Sequence, residues 1–305
     1  MKAAFFLLVL ILFGTGCGES PKKKFVVLYT SQDQFYAEPI LKEFTERTGI
    51  EVRSVFDTES AKTAGLAHRL RAEAYNPQCD VFWSNEEMHT RQLVNAGALD
   101  EKIKTTGSRT RRIVINTNLV SSDKFPTTLL ELTNHVWNGR VALAYPLFGT
   151  TQAHFVALRQ LWGEELWKNW CYGLVRNGAK IVDGNSVVVK LVAAGECAIG
   201  LTDSDDIAAA VQEGRPVAAL EPTGECIAIP STVALIRDAP HPDRAQALID
   251  FLSARETIQR LVTARALESV EAKPNFPQLL TVNWAEAIKE AKTVGEFLDL
   301  IFVRS

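Results

Sequence analysis

The sequence has little net charge, little methionine and histidine, and almost no run of apolar residues that could span a bilayer. A formal charge of −3 over 305 residues provides no basic face for a polyanion, which excludes a nucleic-acid partner. The five histidines, His68, His89, His135, His154 and His241, are scattered without metal-ligand spacing, and the five cysteines include no CxxC pair. No Gly-x-Ser-x-Gly elbow, no GxxxxGKS/T loop and no HExxH helix occurs. The usual supports for nucleophilic or metal-hydrolytic catalysis are therefore missing, and a binding protein is expected rather than an enzyme.

What is present begins at the N-terminus. Lys2 precedes an apolar run over residues 3–13, and Gly14-Thr15-Gly16-Cys17 follows. One positive charge, an apolar stretch and a small-residue exit read as a secretion signal. The run is shorter than the roughly 20 residues a membrane helix needs, and it lacks the amphipathic period of a buried surface helix. Thr15-Gly16-Cys17 looks like the end of a bacterial lipobox with Cys17 as the lipidated residue, although Gly14 stands where a lipobox usually has Leu. Simple secretion with cleavage nearby is the alternative. The remaining Cys79, Cys171, Cys197 and Cys226 form an even set, which can pair outside the cytoplasm. Cys197 and Cys226 each begin a strand-like run, which leaves two readings open: a disulfide between them, or free buried thiols.

Beyond the spacer Lys22-Lys23-Lys24, strand and helix patterns alternate. Strands are expected at 25–29, 50–56, 80–83, 112–115, 141–145, 180–182, 197–201 and 227–236. Helices are expected between most of them, including 61–74, 86–95, 152–162, 186–194 and 207–212, with two more at 284–292 and 294–302. In the first helix Pro39 suits the opening turn, Ile40, Leu41 and Phe44 make an apolar face, and Gly49 stops it. Such alternation predicts an α/β fold of mainly parallel sheets with helices on both faces. The length exceeds one sheet, so two lobes are expected, with crossovers near 116–118 and 221–225.

Ligands of open parallel sheets sit at the carboxyl ends of strands. That rule selects Ser31-Gln32-Asp33, Ser84-Asn85-Glu86, Phe148-Gly149-Thr150-Thr151, Gly184-Asn185-Ser186 and Asp203-Ser204-Asp205-Asp206. Three carboxylates within four residues repel one another, and a hard cation with oxygen ligands would relieve the repulsion. Capping of the helix that follows accounts for one or two of these acids, though not obviously for all three. Arg109 and Arg111 could clamp an oxyanion or form a solvated basic edge. Thr150, Thr151, Asn185 and Ser186 open helices, where backbone N–H groups attract anions or are simply capped.

Several stretches together resemble the periplasmic iron(III)-type solute-binding proteins of ABC importers. They are Val27 to Gln32 with Phe44 to Ile50, Pro77-Gln78-Cys79-Asp80-Val81-Phe82-Trp83, the arginines from Arg109, Gly184-Asn185-Ser186, Ala194-Gly195-Glu196 and the strand from Pro230 to Leu235. The resemblance implies a two-lobed type II periplasmic-binding-protein fold that closes on its ligand by hinge motion. It also implies delivery of that ligand to a permease in the inner membrane, with no cofactor beyond a bound metal ion and its synergistic anion. The family's iron ligands are absent at the matching positions: Asp33 replaces a His, Asn85 replaces a Glu with Glu86 beside it, and Asp205-Asp206 replace the adjacent tyrosine pair.

The resulting expectation has a signal over 1–17 and a linker over 18–24. Lobe 1 comprises 25–115 with about 226–270, and lobe 2 comprises 116–225 with C-terminal helices over about 271–305. The protein would be a monomer held at the membrane through Cys17. A metal ion would lie on Asp33, Asp205 and Asp206, and the surrounding ligand contacts would come from Ser31, Gln32, Asn85, Arg109, Arg111, Thr150, Thr151, Asn185, Ser186 and Asp203. The alternative ligand is a phosphorylated or other organic solute without metal. A secreted enzyme using the carboxylates and a ligand sensor for a receptor are the remaining readings.

Overall fold

The computed structural model describes residues 24–57, 64–220, 225–275, 279–280 and 282–303. The expected signal, Cys17 and nearly all of the spacer lie outside the described residues, as does most of the second expected crossover.

In the first lobe, β1 (Phe25–Thr30) lies between β2 (Glu51–Phe56) and β3 (Val81–Ser84), and both pairings are parallel. The connecting helices are α1 (Gln34–Thr48) and α2 (Ala64–Ala72), with α3 (Glu87–Asn95) following β3. The strand period of two divides the side chains between two cores. Val26, Leu28, Val81 and Trp83 pack with α1, while Tyr29 and Phe82 pack with α2 and α3. In the second lobe, β5 (Val141–Ala144) lies parallel between β6 (Lys180–Val182) and β7 (Ile199–Asp203). Its helices are α4 (Gly149–Trp162), α5 (Glu164–Arg176), α6 (Asn185–Ala193) and α7 (Ser204–Gln212). Here Val141 and Leu143 face one core, and Ala142 and Ala144 face the other.

The lobes share one long strand, β4 (Lys104–Asn116). It runs antiparallel to β9 (Ala228–Leu235) as far as Thr110, then antiparallel to β7 from Arg111, with β8 (Val217–Ala219) pairing its last residues. β9 returns antiparallel to β3, which gives the order β2-β1-β3-β9-β4-β7-β5-β6. The result is a two-lobed α/β fold, parallel within each lobe and antiparallel where the lobes meet. Two further helices, α8 (Pro242–Ser253) and α9 (Arg255–Thr263), cover the first lobe, and α10 (Trp284–Phe302) packs on α4.

Four details differ from the sequence expectation or decide between its alternatives. Helix α1 starts at Gln34, where the N–H groups of Tyr36 and Ala37 donate to Asp33 O at 3.0 Å each, so Pro39 lies inside the helix and not in its first turn. The two expected C-terminal helices are one helix, because Trp284, Ala287, Ala291, Val294, Leu298 and Ile301 form a single buried stripe. The strand expected at 112–115 begins eight residues earlier, at Lys104 (112 − 104 = 8). Cys79, Cys171, Cys197 and Cys226 are all buried free thiols, and no described helix is long and apolar enough to cross a membrane.

Candidate functional site

One cavity gathers most of the residues selected from the sequence. Asp33 comes from the end of β1 and Asn85 from the end of β3, while Arg109 reaches in from β4. Thr150, Thr151 and Asn185 come from the starts of α4 and α6, and Asp203 and Asp206 from the β7–α7 junction. Apart from Arg109, these lie at the carboxyl ends of parallel strands, where a doubly wound sheet leaves a crevice.

The remaining expected residues sit just behind this lining. The Ser31 hydroxyl donates to Asn85 Oδ1 at 3.1 Å and accepts from Asn85 N at 3.0 Å, which fixes the amide that faces the cavity. Gln32 donates from Nε2 to Ser84 O at 3.0 Å and accepts from Arg109 Nη2 at 3.2 Å. Asp205 is buried against Arg109 Nη1. Arg111 is 1% exposed and donates to Asp203 Oδ1 at 2.7 Å and Asn185 Oδ1 at 3.0 Å. Ser186 lies in the first turn of α6 outside the lining. Glu86 is fully buried and caps α3, accepting from His89 N, so it faces away from the cavity.

Asp203 is held by three side chains. Besides Arg111 it accepts from Thr150 Oγ1 at 2.6 Å and Asn185 Nδ2 at 3.0 Å. A buried ionised carboxylate is tolerable only with such compensation. Behind it, His154 on α4 accepts from Arg111 Nε through Nδ1 at 3.4 Å. Burial first, and the Arg111 charge second, push the His154 pKa well below its ordinary value, so the ring is neutral. Burial also opposes the charge on Arg109, but the carboxylates of Asp205, Asp203, Asp33 and Asp206 outweigh it and raise its pKa. The Nε of Arg109 has no hydrogen-bond partner within the protein although the side chain is buried.

The opposite character appears at the helix starts. Phe148 and Gly184 occupy the N-caps of α4 and α6, and neither supplies a side-chain cap. Both helix starts adjoin the cavity, where the helix dipoles favour negative charge. Gly149 has φ +53°, a backbone that glycine adopts without the Cβ penalty other residues meet. It brings the α4 start against the cavity. Asp203, Asp205 and Asp206 place one carboxylate oxygen each within 4.8 Å of one another, beside these helix starts.

Tyr145 and Asp183 also line the cavity and were not selected from the sequence, and Tyr145 stacks on Phe148 of a selected turn at 5.8 Å between centroids. Both follow β5 or β6, so the strand-end rule could have found them, but their residue types carry no distinctive pattern. Tyr36 lies near the acids, and its phenol pKa is raised by burial first and by Asp205, Asp33 and Asp206 next.

Residues 26–263 match the model of the bacterial extracellular solute-binding protein family. Among curated proteins, the chain is 25% identical over 270 residues to the major ferric iron-binding protein of Neisseria meningitidis, covering 79% of each. Among solved structures, iron-bound HitA from Pseudomonas aeruginosa superposes with a TM-score of 0.78 at 20% identity, covering 90% of this chain and 99% of that one. AfuA from Actinobacillus pleuropneumoniae, with fructose-6-phosphate bound, gives 0.80 at 18% identity and covers 92% and 99%. The matched relatives are binding proteins. With the family match covering most of both lobes, the chain belongs to the bacterial extracellular solute-binding proteins.

Proposed function

We propose that the protein captures a hard metal ion together with an oxyanion between its lobes and delivers them to an ABC permease. The observation that carries this reading is a cavity with carboxylates on one side and, on the other, the starts of two helices whose N-cap residues supply no side-chain cap. Asp33 and Asp206 would take the cation directly. Asp205 would join them when Arg109 turns from it to the anion, and Thr150, Thr151 and Asn185 would hold that anion at the starts of α4 and α6. Iron(III) is the cation proposed, in line with the named ferric iron-binding relative. Tyr145, which lines the cavity, and Tyr36, which lies near Asp205, Asp33 and Asp206, are the phenols that would offer an oxygen donor in a site whose expected tyrosine pair is Asp205-Asp206. The same reading includes export, a lipid anchor on Cys17, a monomeric chain and the division into lobe 1 (25–115 with about 226–270) and lobe 2.

A second reading is favoured by the pairing of Asp205 with Arg109 and of Asp203 with Arg111. Carboxylates already neutralised by guanidinium need no metal, and a phosphorylated hydroxyl-bearing solute would use the helix starts for phosphate and Asp33 and Asp206 for hydroxyls. AfuA was solved with such a compound.

Thermal shift of the purified protein separates the two. Iron(III) with phosphate should stabilise more than either alone, by about 2.7 kcal/mol at 100 times its Kd, and Asp33→Ala or Asp206→Ala should remove that gain. An equal shift with fructose 6-phosphate alone after chelator treatment would instead establish the second reading. Absence of any shift with both probes would sink the site assignment.

A further inference from the structure

Strand β4 sends Arg109 and Arg111 toward the cavity side, and its two-residue period turns Thr110 and Arg112 to the opposite face. On that face a closed ring of polar contacts forms. Glu268, in the stretch after α9, accepts from Arg112 Nη2 at 2.7 Å and from the Thr110 hydroxyl, while the Thr110 oxygen accepts from Arg112 Nε at 2.7 Å. The backbone is fastened at the same place. Glu268 N and Ser269 N donate to Ser108 O at 2.9 and 3.1 Å, Ser108 N donates to Ser269 O at 2.9 Å, and Ser108 Oγ donates to Glu271 O at 2.6 Å. One residue earlier, Gly107 has φ +94°, and a Cβ there would lie 2.7 Å from Ser269 O and from Leu267. The bulge between Thr105 and Ser108 is thus pressed directly against this stretch.

The location gives the clasp its importance. β4 passes from its pairing with β9 to its pairing with β7 at Thr110 and Arg111, so the clasp sits where the strand crosses from one lobe to the other and the two arginines emerge. We infer that Glu268 is a positioning residue for the ligand site, holding Thr110 so that Arg109 and Arg111 keep their aim, without itself touching the ligand. The inference rests on the cavity being the ligand site. A side chain that fixes geometry one residue from a binding group changes affinity through preorganisation.

The test compares Glu268→Ala, Glu268→Gln and Lys42→Ala, the last removing an exposed ion pair with Glu46 on α1. Hydrogen exchange of the unliganded protein is read in the β4 segment. Glu268→Ala should accelerate it by about tenfold, equivalent to about 1.4 kcal/mol, Glu268→Gln less, and Lys42→Ala not at all. Affinity for iron(III)–phosphate, or for fructose 6-phosphate if that is the probe bound, should fall by about tenfold in Glu268→Ala and return toward wild type in Glu268→Gln. Unchanged exchange in β4, or unchanged affinity despite faster exchange, overturns the positioning role. If the wild type binds neither probe, the proposed function fails, and the exchange measurement still decides whether Glu268 holds the arginine segment.

Discussion

The cavity wall of the second lobe and that of the first reach order by different routes. In the second lobe, Asp203 is locked by Arg111, Thr150 and Asn185, so its ligand-facing atoms are fixed before anything binds. In the first lobe, Ser31 and Gln32 bond to Asn85 and to a backbone carbonyl, and Gln32 also accepts from Arg109, which reaches Asp205 on the other wall. One wall is built around a carboxylate held by a buried cation, and the other around neutral side chains. Preorganisation concentrated on one side lets hinge closure add the last contacts without rebuilding the site.

The largest expected effect tests the wall built around the carboxylate. Arg111→Met leaves Asp203 buried without its cation and should cost about 3–5 kcal/mol in chemical denaturation. Adding Asp203→Asn to that variant should recover much of the loss. Next, Thr150→Val removes a hydroxyl that donates to Asp203 and accepts from Asn185, with an expected cost of about 1–3 kcal/mol. On the neutral wall, Gln32→Ala should cost only about 1 kcal/mol, measured in the same denaturation series. Equal losses for Thr150→Val and Gln32→Ala would remove the distinction between the walls.

The smallest effect is a pH dependence. His154 is neutral in the fold because its pKa is depressed, whereas in the unfolded chain it titrates near 6.5. The unfolded state therefore binds the extra proton as pH falls below about 6.5, and stability is lost through that window toward the lower folded pKa. Above that window the group contributes no slope. His154→Gln should flatten the stability profile between about pH 7 and 5, in the range set by the unfolded pKa. An unchanged slope would show that other groups carry it.

Much of this molecule could be read from residue order. β6 has the expected bounds of 180–182, and the polar turns after β1, β3, β5, β6 and β7 do converge. The strand-end rule worked because parallel pairing forces every such turn to one edge. It failed to separate lining residues from supporting ones: Asp206 lines the cavity, whereas Asp205 beside it turns to Arg109. Helical geometry splits neighbours by about 100°, and only the packed position of α7 decides which of the two looks inward.

The sequence by itself determined the alternation of strands and helices, the α/β class and the polar turns that share the cavity, since each depends on local periodicity and on turn residues. Tertiary structure alone decided the extent of β4. Lys104-Thr105-Thr106-Gly107-Ser108-Arg109-Thr110-Arg111 shows no apolar alternation, yet Thr106, Ser108, Arg109, Thr110 and Arg111 are buried. Their burial is compensated by partners that stand far away in the chain, namely Asp203, Asp205 and Glu268. A polar strand becomes stable only when its partners arrive, and no local pattern can announce them.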